Sequence, residues 1–308
     1  MSMTKNQITR AIIGVIFAIL LVGPLQAKRK GGGGGDHTAR GVELAQQKQY
    51  DAAIAEFNKA IEADPKDPRN YTNRGTAYRA AGKVAEAMVD FTKAIEVGPK
   101  DYFGYMERSQ TELMQNQFDA ALADADKAVE LKSDEAMVYK YRGFAFIGLT
   151  QWDKAVADFS AAIQKKPDDP QSYDRRAWAN RNLKNYDAAV ADYTLLIAKN
   201  ANDVESLVRR GATYASMTEY EKAITDYEAA LKLKPDDYDT VQRLQYARGM
   251  LAAKNAPPAT PTPPPEAPSK IFTPLNIILA IVVLGIAAAV WRLVTRGKPE
   301  ATSSTRIR

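Results

Sequence analysis

The 308-residue chain contains no cysteine and a single histidine, His37. The first absence excludes disulfides, thiolate metal sites and a cysteine nucleophile. The second excludes any centre that needs two imidazoles. A phosphate-cradling loop is missing as well, because the one glycine run, GGGGG at 31–35, opens no strand–helix unit. The acids form neither a metal-binding loop nor a catalytic carboxylate pair. An excess of positive charge is also absent where a fold would sit. The whole chain carries +5, yet residues 34–254 hold 31 basic against 35 acidic side chains, a net of −4, and the two ends hold 11 against 2. Without a basic face, nucleic acid is not expected as a partner. Without a nucleophile–base or metal constellation, the chain is not expected to be an enzyme, or to take a cofactor or a small-molecule substrate.

The surplus positive charge flanks two apolar segments. Residues 11–23, AIIGVIFAILLVG, follow Lys5 and Arg10 and have the length of a signal-peptide core. Pro24 and Ala27 allow cleavage after Ala27, whereas Lys28-Arg29-Lys30 favours an uncleaved N-terminal anchor; both readings stay open. Residues 274–291, PLNIILAIVVLGIAAAVW, carry no charge, extend upstream to Ile271 and end on Trp291, the composition of a membrane span with an interfacial aromatic. Upstream stands only Lys270; downstream stand Arg292, Arg296, Lys298, Arg306 and Arg308. That asymmetry predicts a cytoplasmic tail and an extracytoplasmic, periplasmic-side middle, in a protein of one or two membrane passes. Residues 255–270 hold seven prolines. They are expected to form an extended spacer of about 50 Å.

The middle of the chain repeats every 34 residues. A small residue recurs at Gly41, Gly75, Ser109, Gly143, Ala177 and Gly211. Alanine follows at Ala53, Ala87, Ala121, Ala155, Ala189 and Ala223, and then a mostly aromatic column at Phe57, Phe91, Ala125, Phe159, Tyr193 and Tyr227. A further small column runs Ala60, Ala94, Ala128, Ala162, Leu196, Ala230, and each unit closes near Pro65, Pro99, Ser133, Pro167, Ala201 or Pro235. Each unit reads as two amphipathic helices with a short polar turn, the small residues admitting close approach and the aromatic filling the gap beside them. The third unit departs most, with Ser109, Ala125 and Ser133.

These columns resemble the tetratricopeptide repeat (TPR) family. The resemblance implies an all-α fold, a right-handed α-solenoid of six helix-turn-helix repeats at 34–67, 68–101, 102–135, 136–169, 170–203 and 204–237. A capping helix at 238–254 would close it. The expected order is a signal peptide or anchor (1–27), a basic, Gly-rich linker (28–36), the array (37–237), the cap, a Pro-rich linker (255–270), a transmembrane helix (271–291) and a basic tail (292–308).

One arginine precedes each small residue, at Arg40, Arg74, Arg108, Arg142, Arg176 and Arg210, and an acid lies sixteen residues after each, at Glu56, Asp90, Asp124, Asp158, Asp192 and Asp226. The pattern predicts a ladder of structural ion pairs, within a hairpin or between neighbouring units. The resemblance further implies a concave groove lined by the first helices, in which a protein or peptide partner lies. Read at i, i+3, i+7 and i+10, that face is apolar in the middle (Phe103, Met106, Met114, Met137, Phe144, Trp178) and rimmed by Arg79 and Arg181. The family's Lys/Asn clamp for a C-terminal carboxylate is not expected, because Thr38 and Val42 stand where it would begin. The function implied is a membrane-tethered scaffold or adaptor. Two alternatives are a non-catalytic subunit of an envelope complex and a cytosol-facing organelle adaptor.

Overall fold

The computed structural model describes residues 35–256 and 274–295. The N-terminal leader or anchor and the body of both linkers lie outside the described residues.

Two compact units divide the chain at residue 254. The first is an array of helices in pairs: α1 (Gly35–Gln46) with α2 (Tyr50–Ala63), α3 (Pro68–Ala80) with α4 (Val84–Val97), α5 (Tyr102–Met114) with α6 (Phe118–Leu131), α7 (Ala136–Gly148) with α8 (Trp152–Lys165), α9 (Pro170–Asn182) with α10 (Tyr186–Lys199), and α11 (Val204–Ser216) with α12 (Tyr220–Leu233). Helix α13 (Tyr238–Asn255) follows the last pair. Helix α1 begins at Gly35, two residues before the expected start of the array, and places Asp36 in its positive first turn.

Local chemistry sets these boundaries. Asp67, Asp101, Asp169 and Asp203 cap first helices by accepting a backbone N–H two or three residues on, and Pro68 and Pro170 occupy first helical positions where no N–H is needed. Every first helix ends in the same turn, whose left-handed residue recurs with the repeat: Lys48, Gly82, Asn116, Thr150, Lys184 and Thr218. At Thr150 (φ 58°) the following N–H, of Gln151, reaches back to the Phe146 carbonyl at 2.8 Å, the closure of a Schellman turn. A β-branched residue is strained there. Thr150→Gly is therefore expected to raise stability by about 1 kcal/mol, seen as a higher thermal midpoint. An unchanged or lower midpoint would mean that the Thr150 side chain compensates.

The core lies between the paired helices. The alanines 53, 87, 121, 155, 189 and 223 are fully buried, as are Phe57, Phe91, Phe159 and Tyr193. A Cβ added at Gly41, Gly75 or Gly211 would come within 2.5–2.8 Å of the aromatic ring of its own repeat, so glycine is what lets the first helix lie on that ring. In the third repeat the ring is absent, and Ser109 uses the space to donate to the Ala121 carbonyl at 2.8 Å. Its departure from the pattern is thus a local exchange of packing for a buried hydrogen bond.

The second unit contains α14 (Pro274–Thr295). Residues 277–294 have a mean hydropathy of 2.6 and none is buried, so the helix is long and apolar enough to cross a membrane. It continues one turn past Trp291, into what composition assigned to the tail.

Candidate functional site

Five of the six expected ion pairs are present, each within its own hairpin. Arg74, Arg108, Arg142, Arg176 and Arg210 donate through Nε and Nη2 to both oxygens of Asp90, Asp124, Asp158, Asp192 and Asp226, at 2.6–2.9 Å. The remaining edge of each guanidinium crosses to the preceding repeat. Nη1 donates to Asn58, Thr92, Asp126, Ser160 or Thr194, sixteen residues upstream, at 2.7–3.2 Å. One arginine thus joins three helices, and the planar fork explains why lysine would not serve. The paired aspartates hold Arg74, Arg108, Arg176 and Arg210 above the ordinary guanidinium value.

The first unit departs from the expectation. Arg40 is not paired with Glu56; it is exposed and 3.7 Å from Glu43. Glu56 is taken by Lys59 at 2.8 Å and by His37 Nδ1 at 2.6 Å. Among the described residues no second helix precedes this repeat, so nothing holds the outer edge of Arg40.

The inner face also departs from the expectation. Phe103, Met106 and Phe144 are buried core residues rather than groove lining. Consecutive first helices approach closely, and large side chains at the facing positions seal the seam between them. Arg79 is buried too and is not a rim residue. Its guanidinium donates to the Glu107 carboxylate and, at 3.0 Å, to the Glu107 carbonyl and Thr111 hydroxyl, and it lies 5.3 Å over the Phe91 ring. Four of the expected residues remain partly open: Met114, Met137, Trp178 and Arg181. Met114, Met137 and Trp178 pack against the buried Phe103–Phe144 cluster, and Trp178 meets Trp152 edge to face at 5.0 Å.

A column that periodicity analysis passed over lies one residue before the ladder arginines. It runs Ala39, Asn73, Glu107, Tyr141, Arg175 and Arg209, and Arg243 of α13 continues the same spacing. Asn73, Glu107, Tyr141 and Arg175 are buried, Arg209 is half-buried, and Ala39 and Arg243 at the two ends are exposed; the column changes from acidic at Glu107 to basic at the C-terminal end. Asp174 accepts from Arg209 at 2.7 Å and stands 3.5 Å from Arg175. Reading every column for charge, rather than for recurrence alone, would have found it.

Glu112 is a second overlooked residue. Its column otherwise holds Leu44, Tyr78, Phe146, Asn180 and Tyr214. Burial, with repulsion from Asp124, pushes its carboxyl up to about 7, against an attraction from Arg108. Its Oε2 is buried without a partner. The ordinary value is 4.5, so the folded chain takes up this proton more readily than the unfolded chain. The stabilisation is complete below the ordinary value and is lost as pH rises through about 7. Glu112→Gln is expected to remove that loss, raising stability at pH ~8 by about 1–2 kcal/mol after solvent screening, with little effect at pH ~4.5. Equal denaturation midpoints for the two proteins at the higher pH would contradict this.

Three sequence models of the tetratricopeptide repeat match the chain: one at residues 41–79, one at 72–136 and 142–204, and one at 204–237. Tetratricopeptide repeat protein 36 of Caenorhabditis elegans is 49% identical over 43 residues, which are 14% of this chain and 24% of that protein. The chain thus matches about a quarter of that relative's length. Among solved structures, Pseudomonas aeruginosa pilF superposes with a TM-score of 0.60 at 14% identity, over 70% of this chain and 96% of that one. YrrB, described as a TPR protein with an unusual peptide-binding site, superposes with a TM-score of 0.56 at 19% identity, over 63% and 97%. At these identities the likeness to both structures is one of fold.

Proposed function

The chain belongs to the tetratricopeptide repeat family, and on that premise we propose that it is a non-catalytic scaffold, tethered to a membrane by α14, that holds a peptide or protein partner against its inner face. The observation that carries this reading is the half-open state of Met114, Met137, Trp178 and Arg181 on a face where Phe103, Met106 and Phe144 are sealed. Methionine and tryptophan left partly open over a packed base make an adaptable docking surface. The description of YrrB supports a peptide as the kind of partner. The exposed apolar α14 supports the tether, and the basic residues after it, against Lys270 before it, support a cytoplasmic tail with the array on the periplasmic side.

The test is photo-crosslinking in the native cell. A photoreactive residue is placed at Met137 or Trp178, with Val89, exposed on the outer helix α4, as control. Adducts from the first two positions and none from the third are the expected result; equal yields from all three would reject the groove. External protease added to intact spheroplasts is expected to digest the array, and protection would reverse the orientation.

A further inference from the structure

The last helix of the array has an uncovered side. Leu244 and Ala247 of α13 are buried with Tyr220, Ala223 and Tyr227 of α12. The opposite side, read at 239, 242, 246, 250 and 253, is exposed throughout. On it Tyr246 is 60% and Met250 37% exposed, and Tyr238 at the helix start is 71% exposed. The other exposed large apolar side chains of the first unit, Val89, Leu183, Leu195 and Leu233, stand one to a helix or its end. Single ones are ordinary on a surface; three on one helix mark a contact.

The repeat columns show what belongs there. Tyr246 continues the column of Val42, Thr76, Gln110, Phe144, Trp178 and Ala212. All of these but Trp178 are buried, where successive first helices close on one another. Helix α13 begins thirty-four residues after α11 and so holds the place of a first helix, and no further first helix follows it among the described residues. A helix laid along Tyr246 would complete that seam. A second helix of the array's own pattern is not the occupant. The small column that receives its ring, Gly41, Gly75, Gly143 and Gly211, continues in Gln245, whose side chain takes up that place.

We propose that α13 pairs antiparallel with α13 of a second copy, in an isologous dimer with Tyr246 near the twofold axis. The helix is complementary to itself in that orientation. Asp239 stands in its first turn and Lys254 in its last, and both are exposed. With Tyr246 on the axis, Asp239 of each copy falls within one turn of Lys254 of the other, at both ends of the seam. A parallel pair would instead set like charges side by side. The two Tyr246 rings meet at the centre, and Met250 of each copy packs beside Gln242 of the other, which takes the exposed apolar surface out of water. An 18-residue helix offers a seam of about 27 Å, which places the dimer among the small, reversible interfaces. The pairing is confined to α13 and does not depend on what the inner face binds.

The cysteine-free chain makes disulfide trapping direct. Gln242→Cys and Met250→Cys are introduced together and singly into the full chain in detergent and oxidised with copper phenanthroline. Eight residues of helix hold the two cysteines about 12 Å apart, too far for a bridge within one copy. The double variant is expected to give linked dimer, either single variant about tenfold less, and Val89→Cys on α4 none. Adding Tyr246→Glu to the double variant is expected to lower the yield about fivefold. Asp239→Lys is expected to lower it about threefold, and Lys254→Asp on top of it to restore the yield. Unaltered circular dichroism shows that the variants are folded. Equal yields from the single and double variants, the mark of parallel pairing or random collision, overturn the proposal. A yield unmoved by Tyr246→Glu, as pairing through α14 alone would give, overturns it too. So does a reversed charge pair that fails to restore the yield, or the absence of linked dimer, as head-to-tail stacking or a different occupant of α13 would give.

Discussion

Replacing Gly75 by valine is expected to lower stability by about 3 kcal/mol, among the largest losses a surface-to-core helix contact can give. A Cβ at this position lies 2.7 Å from the Phe91 ring and 3.1 Å from the Asp90 Cβ. The ring is fully buried, and the Arg79 guanidinium lies over it at 5.3 Å, so it cannot retreat. The first helix must lift away, and the Arg74–Asp90 pair opens with it. Alanine is milder, since Ala177 sits over Tyr193 in the fifth repeat. A built-in comparison exists in the third repeat, where Ser109 accompanies Ala125. In a Phe91→Ala background, Gly75→Ser should therefore cost little, although Phe91→Ala alone should cost about 3–5 kcal/mol. Gly249, with nothing within 4 Å of an added Cβ, is the control. If Gly75→Val and Gly249→Val shifted the urea midpoint alike, close helix approach would not be what the small column provides.

The second large effect concerns the ladder. Asp158→Ala is expected to cost about 2–4 kcal/mol, because Arg142 would keep its desolvated position without its main partner. Asp158 is 6% exposed at its side chain, and both its oxygens accept from Arg142 at 2.8 Å. Arg142→Met and Asp158→Ala should be strongly non-additive, with a coupling of about 1–3 kcal/mol in the double-mutant cycle. Asp126 accepts from the outer edge of the same guanidinium at 3.1 Å but is 54% exposed. Its replacement by alanine should cost less than about 1 kcal/mol. The contrast separates the pair that closes a hairpin from the contact that joins two hairpins. Additive single substitutions would show that arginine and aspartate recur for a reason other than mutual attraction.

How much of this was legible in the residues follows from how local each interaction is. The period of 34 determined the paired helices, because small and aromatic columns at fixed offsets allow only one close packing of two short helices. It determined that arginine and acid recur sixteen residues apart across a turn of constant length, and left open whether they pair within a hairpin or between units; the structure put all five pairs within a hairpin. Asp67 and Pro68 marked a helix start without any tertiary help. The face of the array could not be read that way. Whether Phe103, Met106 and Phe144 line a groove or seal a seam depends on the distance between successive first helices, and helical periodicity contains no such distance. Arg79 looked like a rim residue because Glu107 is 28 residues away in the chain, and only the stacking of repeats brings them together. The same stacking gave the five paired arginines their third contact; among the described residues no earlier helix stands where Arg40 would find one. The desolvation of Glu112, Arg175 and Tyr193 is likewise a property of the assembled array. Sequence by itself determined what recurs within a repeat, where one turn fixes the geometry; the tertiary structure decided what lies between repeats, where the spacing of whole helices decides which side chains meet water.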